Sequence, residues 1–249
     1  MECVYRNECP KWGDKDICMK ICPYYMYIHG ISGKGGFWKM RNVPVKYEGF
    51  HKDNLPKDKQ FDIIRNYISK LPKVVEKGTG LYIYSTPTEG NPLGTGTGKT
   101  TSAVAILNEF TKLQVKRHVQ GQIVLKTNPS MFIKAADFQN IFNAQFRGHR
   151  DIQVESAEKY YNYKELMKEV QLLVIDDIAV RTGSEVFNSE LYEVIDHRAV
   201  MELATIFTSN VPLTELGKFI EPRVASRIEG MTLPVRIVGK DYRKNRMGI

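Results

Sequence analysis

Cysteine is missing from the chain after residue 22: Cys3, Cys9, Cys18 and Cys22 are the four among 249 residues. A disulfide framework tying the whole fold together is therefore excluded. Long apolar runs are missing too. No stretch approaches the roughly 18 to 20 residues of a membrane span. The opening Met1-Glu2-Cys3-Val4-Tyr5-Arg6 lacks the apolar segment of a secretory signal. A cytoplasmic protein with no membrane partner is expected. Low-complexity tracts are absent, and 42% of the residues are hydrophobic, enough to bury a core and to exclude wholesale disorder. Acidic residues are in short supply, 28 against 36 Lys and Arg, for a net charge of +8. The shortage sits mainly in residues 1–80, with 15 basic and 9 acidic side chains, whereas the remainder has 21 and 19. A basic N-terminal third suits an acidic partner, such as nucleic acid or an acidic protein surface; ordinary solubilising charge is the alternative.

The cysteines that are present cluster as C-x5-C-x8-C-x3-C. In a reducing compartment a tight cysteine group reads as a metal site, and four thiolates could close a tetrahedral structural zinc site in a segment too small for its own core. The gaps differ from C-x2-C knuckles, so an iron–sulfur cluster and free thiols stay as alternatives, with His29 as a spare ligand. Residues 1–30 read as a cysteine-bound knob ending in an aromatic helix, Pro23-Tyr24-Tyr25-Met26-Tyr27-Ile28. Gly30, Gly33, Gly35 and Gly36, with Ser32 and Lys34, read as a flexible linker. The expected division is a cysteine-rich domain with linker over 1–36 and a second domain over 37–249.

In the second domain Phe61, Ile64, Tyr67, Ile68 and Leu71 fall at helical spacing. Short apolar strands then alternate with helices: strand 81–84, helix 100–110, a strand candidate at 121–126, helix 135–146, strand 172–175, helix 191–199 and a final strand at 204–209. Continuously apolar strands between helices predict an α/β fold, a parallel sheet flanked by helices on both faces.

Gly96-Thr97-Gly98-Lys99-Thr100 lies between the first strand and the helix that follows. Glycines let backbone amides curl around phosphate oxygens, and a helix N-terminus adds dipole and unpaired donors. Lys99 would reach the β- and γ-phosphates and the Thr100 hydroxyl would ligate Mg2+; Thr101 completes the expected nucleotide set. The usual P-loop pattern has glycine where Leu93 stands. A tolerated substitution or an insertion over 88–95 would explain this, and the Gly/Pro content of Thr88-Glu-Gly-Asn-Pro-Leu-Gly-Thr95 favours a surface insertion. Leu172-Leu-Val-Ile175 ends in Asp176 and Asp177, at the ligand edge of such a sheet. Asp176 would hold Mg2+, and Asp177 would orient or deprotonate the attacking water. Asp is one methylene shorter than the Glu common at that position, so slow or partner-stimulated hydrolysis is expected. Asn210, closing Thr208-Ser209-Asn210, would sense the γ-phosphate or the water, or serves as a turn residue before Val211-Pro212. Arg223 and Arg227 share one helical face; one of them is placed to act as an arginine finger in a neighbouring subunit, the alternative being a solvated face.

These motifs resemble the DnaC/DnaI family of helicase loaders: Gly-Thr-Gly-Lys-Thr at 96–100, Ile-Asp-Asp-Ile at 175–178, Thr-Ser-Asn at 208–210 and Arg-Val-Ala-Ser-Arg at 223–227. The resemblance covers roughly 44–249 and implies an AAA+ P-loop core using ATP and Mg2+. It implies Asn210 as sensor 1, Arg227 as the arginine finger and Arg243 as sensor 2. Only 22 residues follow Arg227, which leads one to expect no C-terminal helical lid. The implied partners are the replicative hexameric DNA helicase, single-stranded DNA and further copies of the chain through the ATP site. The implied location is the replication fork, and the N-terminal domain is the docking module. For DNA the family points to the region after the second strand, where Lys134, Arg147 and Arg150 are the candidate phosphate contacts. Phe138, Phe142 and Phe146 recur there every four residues and are expected mainly to face the core. An IstB-like transposition ATPase, or a nucleotide-dependent DNA-binding module with little hydrolysis, would carry the same core; a metabolic P-loop kinase fits less well.

Overall fold

The computed structural model describes residues 3–14, 16–18, 21–179, 184–239 and 241–242. Its elements in chain order are α1 (Pro23–His29), α2 (Gly36–Met40), α3 (Asp62–Ser69), α4 (Leu71–Glu76), β1 (Gly80–Tyr84), α5 (Lys99–Val119), β2 (Ser130–Lys134), α6 (Ala135–Ala144), α7 (Arg150–Glu169), β3 (Leu172–Asp176), α8 (Glu185–Val200), β4 (Thr205–Ser209), α9 (Pro222–Met231) and β5 (Thr232–Arg236). The strands form one parallel sheet in the order β2-β3-β4-β1-β5. Every residue of β3 and β4 is buried, and β3 accordingly opens on the unbroken apolar run Leu172–Ile175.

Strand side chains alternate between two cores. Leu81, Ile83, Leu172, Val174 and Ile206 meet α3, α4 and α5 on one face. Tyr82, Leu173, Ile175 and Phe207 meet α6, α7, α8 and α9 on the other. β1 lies so close to β4 that a Cβ on Gly80 would fall 1.9 Å from the Thr205 carbonyl oxygen. α8 starts where the Ser184 hydroxyl accepts the Phe187 amide at 3.2 Å, a side-chain N-cap. No helix among the described residues is long and apolar enough to cross a membrane.

Four expectations change. The strand candidate at 121–126 is an exposed connection opened by Gly121 at φ +72, and β2 begins nine residues later, after Pro129. β4 is not the last strand: β5 adds an edge, partly exposed and carrying Pro234, features that hide an edge strand from a pattern search. The 20-residue α7 was not expected, because its residues are mostly polar and exposed. Gly30 to Gly36 is an ordered reversal and not a loose linker. Gly36, at φ +64, passes so close to α1 that a Cβ would fall 2.4 Å from the Ile28 carbonyl oxygen. The N-terminal segment also shares a cluster with α5, built of Tyr5, Ile28, Trp38 and Val115.

Candidate nucleotide site

The C-terminal ends of β1, β3 and β4 converge on the start of α5. Gly98, at φ +102, is the N-cap of α5, so the helix opens on a left-handed residue that tolerates only glycine well. Lys99 is buried, and its ammonium donates to Ser85 Oγ at 2.5 Å and to the Gly94 carbonyl at 3.1 Å. Thr100 Oγ1 donates to Asp176 Oδ1 at 2.8 Å, and Thr208 Oγ1 donates to the same oxygen at 2.7 Å. Burial, then the neighbouring charge of Asp177, push the Asp176 carboxyl up to about 6; the bonds from Thr208 and Thr100 and the charge of Lys134 oppose the rise. Asp177 stands at φ +56, with its amide donating to Thr208 Oγ1 at 2.9 Å.

Among the described residues, two polar atoms beside this constellation are buried without a hydrogen-bond partner: Thr97 Oγ1 in the loop and Asn210 Oδ1 just past the end of β4. Buried orphans of this kind cost free energy unless a ligand supplies the missing partner. Together with the buried ammonium and the helix N-terminus they fit a phosphate-bearing ligand, and the Thr100–Asp176 pair fits a hard, oxygen-ligated cation such as Mg2+. Thr101 differs, since its hydroxyl is used inside the loop, donating to the Gly98 carbonyl at 2.8 Å.

The 88–95 segment is a small knot. Thr88 and Asn91 exchange backbone bonds at 3.0 Å, and the buried Asn91 amide donates to Thr95 O at 2.7 Å and Gly239 O at 3.1 Å. The C-terminal tail crosses the loop: the Tyr242 amide donates to Gly96 O at 3.0 Å, and a Cβ on Gly96 would fall 1.7 Å from Asp241 Oδ1. Arg243 lies outside the described residues. Ser85 and Thr208 were missed as site residues; their positions at the ends of β1 and β4 were the available signal.

The remaining predicted residues lie apart. Arg227, on α9, is about half exposed and donates from Nε to Asp196 Oδ1 of α8 at 2.7 Å. Lys134 ends β2 in register with Asp176, so it belongs to the sheet edge, whereas Arg147 and Arg150 are exposed beyond the far end of α6. Phe138 and Phe142 are buried as expected, but Phe146 is 64% exposed, because α6 has ended before it.

No family model matches the chain. The replicative helicase loader DnaC of Escherichia coli strain K12 is 29% identical over 190 residues, a match covering 71% of this chain and 66% of that protein. The crystal structure of DnaI aligns with a TM-score of 0.58 at 17% identity, covering 79% of this chain and 95% of that one. The chain resembles the DnaC/DnaI helicase loaders. A further structure, the replication initiator DnaA bound to AMPPCP and single-stranded DNA, aligns at a TM-score of 0.56 and 20% identity over 80% of this chain and 52% of that one. What these structures share with the present chain is the α/β core with its five-stranded parallel sheet.

The DnaC/DnaI resemblance does not carry the N-terminal metal. Among the described residues no group of three or more His, Cys, Asp or Glu side chains is disposed to hold an ion. The four thiols are free and half-buried. Cys3 and Cys9 pack against the Tyr5–Trp38 cluster, as small apolar side chains do. Burial raises the Cys3 thiol against a bond from the Tyr5 amide, and the charges of Cys22, Cys18 and Cys9 add to the rise.

Proposed function

We propose that the chain is an ATP-dependent loader that binds the replicative DNA helicase and delivers it to single-stranded DNA. The observation carrying this reading is the ordered contact of loop, acid and sensor strand, in which Thr100 and Thr208 both donate to Asp176. Around it stand the buried Lys99 and the unpartnered Asn210 oxygen. The amides of Gly96 to Thr100 and the Lys99 ammonium would bind the phosphates, with Thr100 and Asp176 as ligands of Mg2+. Bound there, Mg2+ would neutralise phosphate charge. Asp177 would orient the attacking water and Asn210 would report the terminal phosphate. Arg227 of a neighbouring copy would complete the site, and Arg243 would act as sensor 2. Arg147 and Arg150 offer cations for the DNA backbone, with the exposed Phe146 beside them as a face on which a base can stack; Lys134 serves the ATP site better than DNA. Residues 1–36 would dock on the helicase. Zinc enters this reading only through the chemistry of Cys3, Cys9, Cys18 and Cys22, and metal analysis of the purified chain decides it.

The test is capture of a replicative helicase by the tagged full-length chain with ATP, beside Lys99→Ala. A hexameric helicase retained in an ATP-dependent manner supports the loader. The Lys99→Ala chain should bind ATP roughly 10- to 100-fold more weakly, the worth of charge-assisted bonds to phosphate. Capture of a transposase instead of a helicase would make the chain an IstB-like ATPase and overturn the loader reading.

A further inference from the structure

The three residues 177–179 leave β3 along an uncommon path. Asp177, at φ +56, and Ala179, at φ +74, both stand in the left-handed region, where a non-glycine residue is strained and persists only if its surroundings fix it. What fixes them is β4. The Asp177 amide donates to Thr208 Oγ1 at 2.9 Å, the Ile178 amide to the Thr208 carbonyl at 2.9 Å, and Ser209 Oγ to the Ile178 carbonyl at 3.0 Å.

The polarity of the Thr208 hydroxyl is settled by its neighbours. An amide can only donate, so Oγ1 accepts from Asp177, and its single proton is left for Asp176 Oδ1 at 2.7 Å. Thr208 is fully buried. Two residues further along the same strand end stands Asn210, with its side-chain oxygen unpartnered. One strand end therefore sets the metal acid, the acid that faces water, and the sensor amide relative to one another.

We propose that Thr208 is a positioning residue for ATP hydrolysis: its hydroxyl holds the Asp177 backbone in the left-handed conformation and pins the Asp176 carboxylate beside it. The inference rests on the ATPase reading above and adds to it a residue that touches neither nucleotide nor metal. A packing role would be served equally well by valine, which has nearly the same shape. A positioning role would not, because misplacing a reacting group by about 1 Å can cost on the order of 100-fold in rate while leaving binding intact.

The experiment compares full-length wild type, Thr208→Val, Thr208→Ser and Thr208→Cys. Binding is read with a fluorescent N-methylanthraniloyl ATP, and hydrolysis by phosphate release with single-stranded DNA present. Thr208→Val is expected to bind the probe within about threefold of wild type and to lose roughly 10- to 100-fold in kcat, with KM little changed. Thr208→Ser keeps the hydroxyl, gives up a methyl group, and should return to within a few-fold of wild type. Thr208→Cys, a weak donor and acceptor of similar size, should be slow like valine, and it carries the test if the valine chain fails to fold. A valine or cysteine chain that hydrolyses at the wild-type rate overturns the proposal, as does a serine chain no faster than the other two. Wild type that binds the probe without hydrolysing it refutes the ATPase reading itself, and the positioning role with it.

Discussion

Arg198 shows what a single residue does for this frame. It is fully buried, and among the described residues no carboxylate bonds it and four groups receive its protons. Nε donates to Thr205 Oγ1 at 2.8 Å, Nη1 to the carbonyls of Met167 at 2.7 Å and Val170 at 2.8 Å, and Nη2 to Ala204 O at 2.7 Å. Burial pulls its pKa down to about 9, which still leaves it charged at neutral pH. The guanidinium thus ties the end of α7 and the turn before β3 to the start of β4, the strand that carries Thr208 and Asn210 at its other end. Replacing it by methionine keeps much of the volume and takes the guanidinium donors from the buried Met167 and Val170 carbonyls, while Ala204 O keeps the Leu173 amide at 3.2 Å. The expected loss is roughly 3 kcal/mol, a fall in melting temperature of about 6 to 12 °C for a chain of this size. Thermal unfolding followed by circular dichroism measures it, and a change under 2 °C would mean that water replaces the guanidinium.

Among the elements, α5 serves two neighbours. Its N-terminus frames the candidate nucleotide site, and its middle holds the N-terminal segment: Tyr5 Oη donates to Lys112 O at 2.7 Å, Lys112 pairs with Glu8, and His51 Nδ1 meets Glu109 Oε1 at 3.3 Å. Burial alone would raise the Glu109 carboxyl, but the bond from His51, the charges of Lys112 and His51 and the Lys52 amide outweigh it and leave the group below its ordinary value of 4.5. A carboxyl depressed on folding lends stability above its unfolded pKa and loses it as pH falls through the folded one. Glu109→Gln should therefore be less stable than wild type at neutral pH, and the gap should shrink below about pH 4. Denaturant unfolding at the two pH values tests this; a gap independent of pH would make the role one of packing alone. Elements like β1, β3 and the start of α5 were legible in the sequence, because a doubly covered strand needs an unbroken apolar run and a phosphate loop needs its glycines. β5 and α7 were not. An edge strand with a proline and a polar helix carry weak periodic signals, and Ile123-Val124-Leu125, with Val124 exposed and its neighbours only partly buried, copies a strand's composition without forming one. Asp176 and Lys99 were proposed from local motifs, whereas the two hydrogen bonds of the Thr208 hydroxyl arise only once β3 and β4 lie side by side.

At the scale of the whole molecule, the arginine-finger role proposed for Arg227 predicts that one copy is incomplete. In this chain Arg227 is engaged by Asp196 at 2.7 Å on the α8–α9 surface, and Arg223 on the same helix bonds Glu221 at 2.6 Å and lies over the Tyr192 ring at 5.4 Å. An arginine finger supplies charge to a transition state, so one that faces outward can act only on the site of another copy. On that proposal Asp196 would orient the guanidinium until a neighbour arrives, an exposed pair worth little enough to give up. If two copies share each site, hydrolysis per subunit must rise with protein concentration until assembly is complete. Arg227→Ala should bind ATP as wild type does and lose on the order of 1,000-fold in kcat, the usual worth of such a finger, with a rate per subunit that no longer depends on concentration. Mixing it with Lys99→Ala distinguishes the arrangement further. Each variant keeps what the other lacks, so mixed assemblies recover part of the activity at junctions where an intact Arg227 faces an intact Lys99. Phosphate release measured across a concentration series and across mixing ratios reads both effects, and a wild-type rate per subunit that is flat with concentration, with no recovery on mixing, would leave Arg227 as a surface residue paired with Asp196.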